Sequence, residues 1–522
     1  MMGPRQRRAA KLFYTDVDLE ERVPADHPLR RVAAAVDFAW VREAVRPLYG
    51  RRGHPSVDPV VLLKLMFVLF FENVSSERAL MKALPLRLDW LWFCGYDLDD
   101  VVPDHSVISK ARRRWGPDVF KVFFERVLDQ CVAAGLVDGE RVHVDSTLVS
   151  ASADRRALVP AWVLAARGLY ERLEAAAQAP GGVENVGPEA AATDAAPAEE
   201  APVAEGAAEP AAPPQGSAQV LVSTTDPDAR LTRKYNQPVL GYKDHRAVDD
   251  RCGIITATVT TSAAVADEAM LEEVLDGHEA GVGQAVEMVV ADSRYGTGAT
   301  YHALRGRGVQ PCIPPMRRAR SGRFGPERFT YEVTTDTYMC PAGHRLKRSD
   351  RRAQKDAMRY YAPRGACPAC PLKGQCTRGP RRQIARHAYQ EDIDWAAACV
   401  GPGARRYWLR RRSVRAEGSF ADASQRHGSK RARWRRLWRV TIQNQLIAAV
   451  QNVRKWLRHA RRRKEAGQKR ASSSAHVRSL LWAVAVGLRH APGRARALFW
   501  ASCAPPSAFR STRAAFARPA AN

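Results

Sequence analysis

Arg141-Val142-His143-Val144-Asp145-Ser146-Thr147 and Val286-Glu287-Met288-Val289-Val290-Ala291-Asp292 are the two stretches whose reading decides the fold. In the first, Val142 and Val144 alternate with polar residues, the pattern of a short strand with one buried face. Asp145 is expected at the C-terminal end of that strand. The second is an apolar run that closes on Asp292. Strand patterns also fall at 242–248, 253–261 and 309–313, with helical spacing at Met270, Leu271 and Val274 and a short helix around 301–304. This order predicts an α/β fold, a mixed sheet flanked by helices.

Strand ends are where α/β sheets place their sites. Carboxylates there suit a hard cation such as Mg²⁺, which takes a few carboxylates and completes its shell with water and substrate phosphate. A strand-end aspartate also forms turns, so one alone decides little, and two in a basic chain leave both readings open. Glu417 stands out because it is the sole acid between Arg405 and Ser419, with Arg410, Arg411, Arg412 and Arg415 before it. Either it is a surface ion pair of small worth, or the arginines hold phosphates while the glutamate holds metal.

Lys plus Arg number 82 against 55 Asp plus Glu, a formal net charge of +27 over 522 residues. That surplus points to a polyanionic partner, nucleic acid before an anionic membrane, unless the chain is merely arginine-rich. The basic start from Met1 to Lys11 is followed by no apolar segment of the kind that marks a signal peptide. The apolar run 60–71 is broken by Lys64 and too short to span a bilayer. A soluble, cytoplasmic protein without membrane contact is expected.

The composition divides the chain. Residues 1–138 are expected to form an all-helical, DNA-binding domain. Pro59 suits a helix entry, Ser75 or Ser76 and Asp104 suit caps, and Phe120, Phe123, Phe124, Val127 and Cys131 share one helical face. Arg112, Arg113 and Arg114 are its candidate DNA contacts, although a plain bundle with solvated arginines fits this segment equally. Residues 139–172 and 229–315 read as the first part of the α/β core. Between them 173–228 is rich in Ala, Pro and Glu and has no Lys or Arg. It is expected to be a disordered acidic linker, since it cannot bury enough apolar surface to offset its ordering entropy. Residues 316–390 read as a basic, turn-rich, cysteine-containing insertion. Residues 391–460 read as helices that complete the core. The tail 461–522 is expected to be poorly ordered, apart from a helix over 477–488.

Cys340, Cys367, Cys370 and Cys376 lie in the insertion, with Cys367 and Cys370 spaced as C-x₂-C. Four thiolates suit a tetrahedral structural Zn²⁺ site, with His344 as a replacement ligand; free thiols are the alternative. Cys94, Cys131, Cys252 and Cys312 read as core cysteines. Trp434-Arg435-Arg436-Leu437-Trp438 interleaves rings with guanidinium groups, which suits phosphate contact with base stacking or ordinary packing. His143 reads as a packing residue. Tyr295, three residues after Asp292, either touches a nucleotide or packs the turn.

The chain resembles the bacterial insertion-sequence transposases of the DDE type. The resemblance is carried by 54–59, 103–106 and 142–147, by Gly241-Tyr242-Lys243-Asp244-His245-Arg246-Ala247-Val248-Asp249, by Val290-Ala291-Asp292-Ser293-Arg294-Tyr295-Gly296, and by Arg412-Ser413-Val414-Arg415-Ala416-Glu417-Gly418-Ser419-Phe420. It runs from about residue 10 to 457, linker aside, and rests on the order and spacing of motifs that are each only moderately specific. It implies an RNase H-like core in which Asp145, Asp292 and Glu417 hold two Mg²⁺ or Mn²⁺ ions. It implies cleavage of double-stranded DNA at transposon ends, joining of the 3′-hydroxyl to target DNA, and a homodimer on DNA. Thr147 and Tyr295 support the triad. Arg410, Arg412, Arg415, Lys430, Arg433 and Trp434 are expected DNA contacts. Many relatives carry a lysine seven residues after the glutamate, where this chain has Ser424; Lys430 or nearby arginines are expected to substitute. The competing readings are an inactive DNA-binding remnant or regulator, and an RNase H-like nuclease without strand transfer.

Overall fold

The N-terminal region is helical. In this computed structural model, residues 1–3, 5, 18–177, 220–316, 323–354 and 357–489 are described. Helix α1 (Pro59–Phe71) starts on Asp58, whose side chain accepts from the Val60 N–H, with Pro59 in the first turn where it costs no hydrogen bond. Almost every residue of α1 is buried, so it forms the centre of this region rather than an amphipathic surface helix. The rings of Phe67 on α1, Phe38, Phe93 and Phe123 meet at centroid separations of 5.6–6.3 Å. Helix α2 (Ser106–Ala133) joins the two helices expected on either side of Gly116-Pro117 and kinks there, with Gly116 at φ 68°.

The central sheet follows. β1 (Arg141–Ser150), β2 (Gln237–Asp249), β3 (Ile255–Ser262), β4 (Met288–Val290) and β5 (Gln310–Cys312) stand in the order β3-β2-β1-β4-β5. β3, β2 and β1 are antiparallel neighbours, whereas β1, β4 and β5 run parallel. A short strand, Arg230–Lys234, pairs with the start of β2 through a hairpin whose central residues, Tyr235 and Asn236, both have positive φ. That is the backbone twist a two-residue hairpin favours. At the crossing of β1 and β2, Gly241 lies so close to Val149 that a Cβ there would sit 2.2 Å from the Val149 carbonyl oxygen.

Helices cover both faces of the sheet. On one, Val142, Val144 and Val289 pack with Leu271, Val274 and Leu275 of α3 (Leu271–Val282) and with Tyr301 and Leu304 of α4 (Gly298–Gly306). α5 (Gln390–Cys399) joins that same cluster through Ile393, Trp395 and Ala396. The other face carries α6 (Pro402–Arg412), a π-helical turn (Ser413–Glu417), α7 (Gly418–His427) and α8 (Leu437–Arg489) in chain order, of which the π turn, α7 and α8 bear on β1 and β2. Arg246 fixes this packing. It is fully buried on β2 and paired with Asp244 at 2.8 Å. It donates to Ser419 Oγ at 3.0 Å and Gln451 Oε1 at 2.9 Å, and stacks over Phe420.

Several expectations need correction. Asp145 is mid-strand, because β2 pairs with β1 as far as Ser150 while β4 stops at His143. The apolar run before Asp292 is a strand only over Met288–Val290. The insertion contains a five-stranded antiparallel sheet, β6 (Thr330–Glu332), β7 (Thr337–Met339), β8 (Arg345–Gln354), β9 (Ala357–Tyr361) and β10 (Gln383–His387). Its small core of Phe329, Tyr338, Leu346, Tyr360 and Ile384 is hidden in the sequence among arginines. α8 continues to Arg489, beyond the end expected near 460; the added stretch is rich in Ala, Arg, Lys and Leu, which are strong helix formers. The acidic linker is shorter than expected. A helix runs to Ala177, and Asp226 is buried, accepting from the Tyr242 hydroxyl and the Arg436 N–H. The rest of the linker, 178–219, and the end of the tail, 490–522, lie outside the described residues. By contact the chain separates into two units, Met1–Trp456 and Leu457–Asn522. Among the described residues no helix is long and apolar enough to cross a membrane.

Removing Arg246 would strand the Asp244 carboxylate in the interior. Arg246→Met is expected to destabilise the protein by about 3–5 kcal/mol, as breaking one side of a buried ion pair does. Thermal melting checks it: the double variant Asp244→Leu/Arg246→Met should melt above the single one, and a single variant as stable as wild type contradicts this role.

Candidate active site

Asp145 and Asp292 are brought together by strand register. The last parallel pair between β1 and β4 is His143 with Val290, and each aspartate lies two residues beyond it. Among the described residues no strand covers this edge of β1 beyond His143. Asp145 points to the face opposite Val144, where it meets Arg412 of α6. Asp292 starts a 3₁₀ turn, and its Oδ1 accepts from the Arg294 N–H at 2.8 Å. Asp145 Oδ1 accepts from the Ser146 N–H at 2.9 Å.

Glu417 arrives from the other side. It ends the π-helical turn, whose wider i→i+5 winding brings residues five apart together. Arg412 and Glu417 have that spacing. Arg412 Nη2 donates to Glu417 Oε1 at 2.6 Å, and Arg412 Nη1 lies 3.0 Å from Asp145 Oδ2. Ser413 Oγ donates to Glu417 Oε2 at 2.8 Å. The three carboxylates are near enough that Asp292 and Glu417 both act on Asp145: burial pushes the Asp145 carboxyl up to about 6, with Arg412 and the Ser146 N–H opposing and the two neighbouring carboxylates adding to the rise. Among the described residues no three His, Cys, Asp or Glu stand as a ready-made metal site.

A second layer of contacts lies beneath the site. Ser146 Oγ donates to Asp267 Oδ1 at 2.8 Å, and Lys243 pairs with the same carboxylate at 2.9 Å. Burial alone would raise the Asp267 carboxyl, but these donors hold it below its ordinary range. His143 is buried and bonded to Asp250, which Arg411 also meets; it is the packing residue expected. Tyr295 is buried in the core beneath the sheet, which leaves it no surface for a nucleotide. Asp267, Lys243 and the bridging role of Arg412 were not foreseen. The 241–249 motif contains Lys243, but nothing in its pattern says that its partner lies in a loop after β3.

The expected DNA contacts divide. Lys430 lies in the same cleft as Asp145, Thr147, Glu417 and Ser424, with Nζ 3.4 Å from Thr147 Oγ1. Its backbone is fixed against the end of β1, where the Ser150 N–H donates to the Lys430 carbonyl and the Ala432 N–H to that of Ser150. Arg113, Arg114 and Arg410 are exposed, Arg114 stacking on Tyr49. Arg415 is half-buried and donates to the Arg251 carbonyl. Three others are structural instead. Arg112 is buried, paired with Glu77 and stacked 3.7 Å from the Trp434 ring centroid. Trp434 also meets the edge of Phe70. Arg433 donates to the Leu69 and His427 carbonyls and to Asn73 Oδ1. They tie the end of α1 to the segment before α8, and such packing leaves no ring or fork free for DNA.

The insertion cysteines converge. Cys340, Cys367, Cys370 and Cys376, together with His344, line one small cavity. Gly343, at φ 80°, turns the chain so that the His344 N–H reaches Cys340 Sγ at 3.3 Å, and the Arg382 N–H reaches Cys367 Sγ at 3.3 Å. Cys94, Cys131 and Cys312 are buried, and Cys252 is partly so.

The raised Asp145 carboxyl fixes a pH dependence. A carboxyl that titrates near 6 when folded, against about 3.9 unfolded, makes the fold lose stability as pH rises through that window. In chelator, Asp145→Asn is therefore expected to match wild type near pH 4 and to exceed it by about 1–3 kcal/mol above pH 7. Melting curves at the two pH values check this, and an Asn variant less stable than wild type at pH 8 contradicts it.

Comparison with known proteins bears on both halves of the chain. Residues 17–114 match the family described as a transposase domain (DUF772). Residues 339–457 match a transposase DDE domain, a segment that takes in the insertion cysteines and Glu417. Asp145 and Asp292 lie between the two matches. No curated protein matches the chain. Among solved structures, a cryo-EM structure of the piggyBac transposase synaptic complex with hairpin DNA matches at 10% identity and a TM-score of 0.33, over 85% of this chain and 77% of that one. The two family matches bear out the resemblance of the chain to DDE-type transposases.

Proposed function

We propose that the protein binds transposon ends, cleaves them and joins the freed 3′-hydroxyl to target DNA, using two Mg²⁺ or Mn²⁺ ions held by Asp145, Asp292 and Glu417. The observation that carries this is that Arg412 bridges Asp145 and Glu417, while Asp292 stands two residues past the last β1–β4 pair, as Asp145 does. A cation already spans Asp145 and Glu417 there, so the oxygens fit a positive ion. The strand order β3-β2-β1-β4-β5, with β2 antiparallel to its neighbours, supports an RNase H-like reading of the core.

When bound, two such ions make an attacking oxygen nucleophilic and stabilise the leaving one. The protein's own residues position. The Ser146 and Arg294 N–H groups each hold one oxygen of an aspartate and so orient the other. Lys430 is the chain's answer to Ser424, offering one ammonium to a DNA phosphate beside Thr147. Arg113, Arg114, Arg410 and Arg415 are its candidate backbone contacts, which would give salt-dependent, sequence-tolerant affinity. A homodimer on DNA follows from the need to hold two ends. The regulator reading loses weight because all three carboxylates are retained. A nuclease without strand transfer differs only in failing to join precut ends to a target plasmid.

Zinc is a separate proposal. Cys340, Cys367, Cys370 and Cys376 are a sulfur-only donor set around one cavity, with N–H donors on two of the sulfurs, which suits structural Zn²⁺. About one zinc per chain is expected by elemental analysis, falling in Cys367→Ser; purified protein free of zinc ends this proposal.

The function is tested on labelled DNA carrying the element's own ends, with Mg²⁺ or Mn²⁺. Wild type should cut. Asp145→Asn, Asp292→Asn and Glu417→Gln should bind and lose about 10³-fold or more in cleavage. Lys430→Ala should weaken end binding and lower its salt dependence by about one unit. Wild type that binds but never cuts favours the regulator; a Glu417 variant that still cuts means the third carboxylate lies elsewhere.

A further inference from the structure

Arg412 competes for the oxygens on which the proposed ions depend. Its two Nη atoms lie 3.0 Å from Asp145 Oδ2 and 2.6 Å from Glu417 Oε1. The remaining oxygens of those carboxylates take donors from Ser146 and Ser413. A guanidinium only donates, and it cannot share these lone pairs with a divalent cation at ligand distance. The position is built. Arg412 closes α6, the π turn places it over Glu417, and its side chain is only 13% exposed. In an uninterrupted α-helix, residues five apart do not face one another.

We infer that Arg412 is a resident counterion that occupies the metal site and must be displaced for a divalent ion to bind. With Arg412 in place, one positive charge offsets the repulsion between Asp145 and Glu417 and lets them stand close. Displacement frees a largely buried guanidinium, whose Nε and Nη1 already have no hydrogen-bond acceptor, Nη1 meeting Asp145 only as an ion pair. The cleft where Lys430 and Ser424 lie is open beside it. A DNA phosphate there would accept from the freed fork, which suits bidentate phosphate geometry. Metal and DNA binding are then coupled, each drawing Arg412 away from the carboxylates, and by linkage each strengthens the other equally.

This rests on the reading of Asp145, Asp292 and Glu417 as metal ligands, and the test separates the two. Mn²⁺ binding to the full chain is measured by the loss of the free-ion paramagnetic resonance signal, which needs no turnover. The proteins are wild type, Arg412→Gln, Arg412→Lys and Asp292→Asn, each checked for folding by thermal melting. Arg412→Gln is expected to bind Mn²⁺ about tenfold more tightly than wild type, the size of one charge-assisted hydrogen bond. Arg412→Lys, which cannot fork across two carboxylates, should shift the same way by less and stands in if the Gln variant does not fold. A short DNA duplex should tighten Mn²⁺ binding to wild type more than to the Arg412 variants. Binding that is lost in Asp292→Asn but equal or weaker in the Arg412 variants overturns the counterion role alone. Binding unaffected by Asp292→Asn in every background overturns the metal-site reading beneath it.

Discussion

The buried pair of Asp244 and Arg246 is the constraint on which the active face depends. Both side chains lie on the same face of β2, and Arg246 is the cross-strand neighbour of Asp145. From that position one guanidinium reaches Ser419 and Phe420 on α7 and Gln451 on α8. Glu417 directly precedes α7 in the chain, so the helix that Arg246 grips continues the π turn that carries the third carboxylate. A buried ion pair is weak as a source of net stability. Its worth here is in geometry: a sheet and two helices from distant parts of the sequence are held to one registration. Asn452 extends the hold, exchanging hydrogen bonds with the backbone of Ile255 at the start of β3.

The same economy of charge runs through the contact between the helical region and the core. Arg112, Arg433 and Trp434 read in sequence as a DNA-facing set, since arginines interleaved with rings commonly serve nucleic acids. In the fold they stack on one another and on Phe70, the Arg433 donors go to backbone carbonyls at the end of α1, and Arg112 pairs with Glu77. Arginine can do this because its planar fork satisfies several acceptors while its face covers a ring. A high arginine count is therefore an uncertain guide to the DNA surface, and the exposed Arg113, Arg114 and Arg410 are better placed for it than the more conspicuous cluster.

What the sequence made legible was local. Alternation marked β1, and Pro59 and the pair Ser75-Ser76 announced the helices that begin there. The two aspartates could be singled out because each stands beside a valine-rich strand. Their being in register could not, because register depends on which strands pair, and that is set by the whole sheet. Glu417 was found through its arginine surroundings and family likeness, but the π turn that aims it has no sequence signature. The insertion sheet was missed because its strands are short and carry arginines on their open face, so that five apolar core positions are scattered over more than fifty residues. The length of α8 was missed for the opposite reason: between Leu457 and Val477 it lacks an apolar stripe, and helix propensity alone was given too little weight there.

The central claim is that Asp145, Asp292 and Glu417 jointly hold divalent ions. The most direct measurement is anomalous X-ray diffraction from crystals of the protein bound to DNA and soaked in Mn²⁺. The account predicts manganese peaks within about 2.0–2.4 Å of the free oxygens of these three side chains, with two ions roughly 3.5–4 Å apart and Arg412 moved off Asp145 and Glu417. Manganese bound elsewhere, or none at the triad while Arg412 still bridges it beside the DNA, would contradict it.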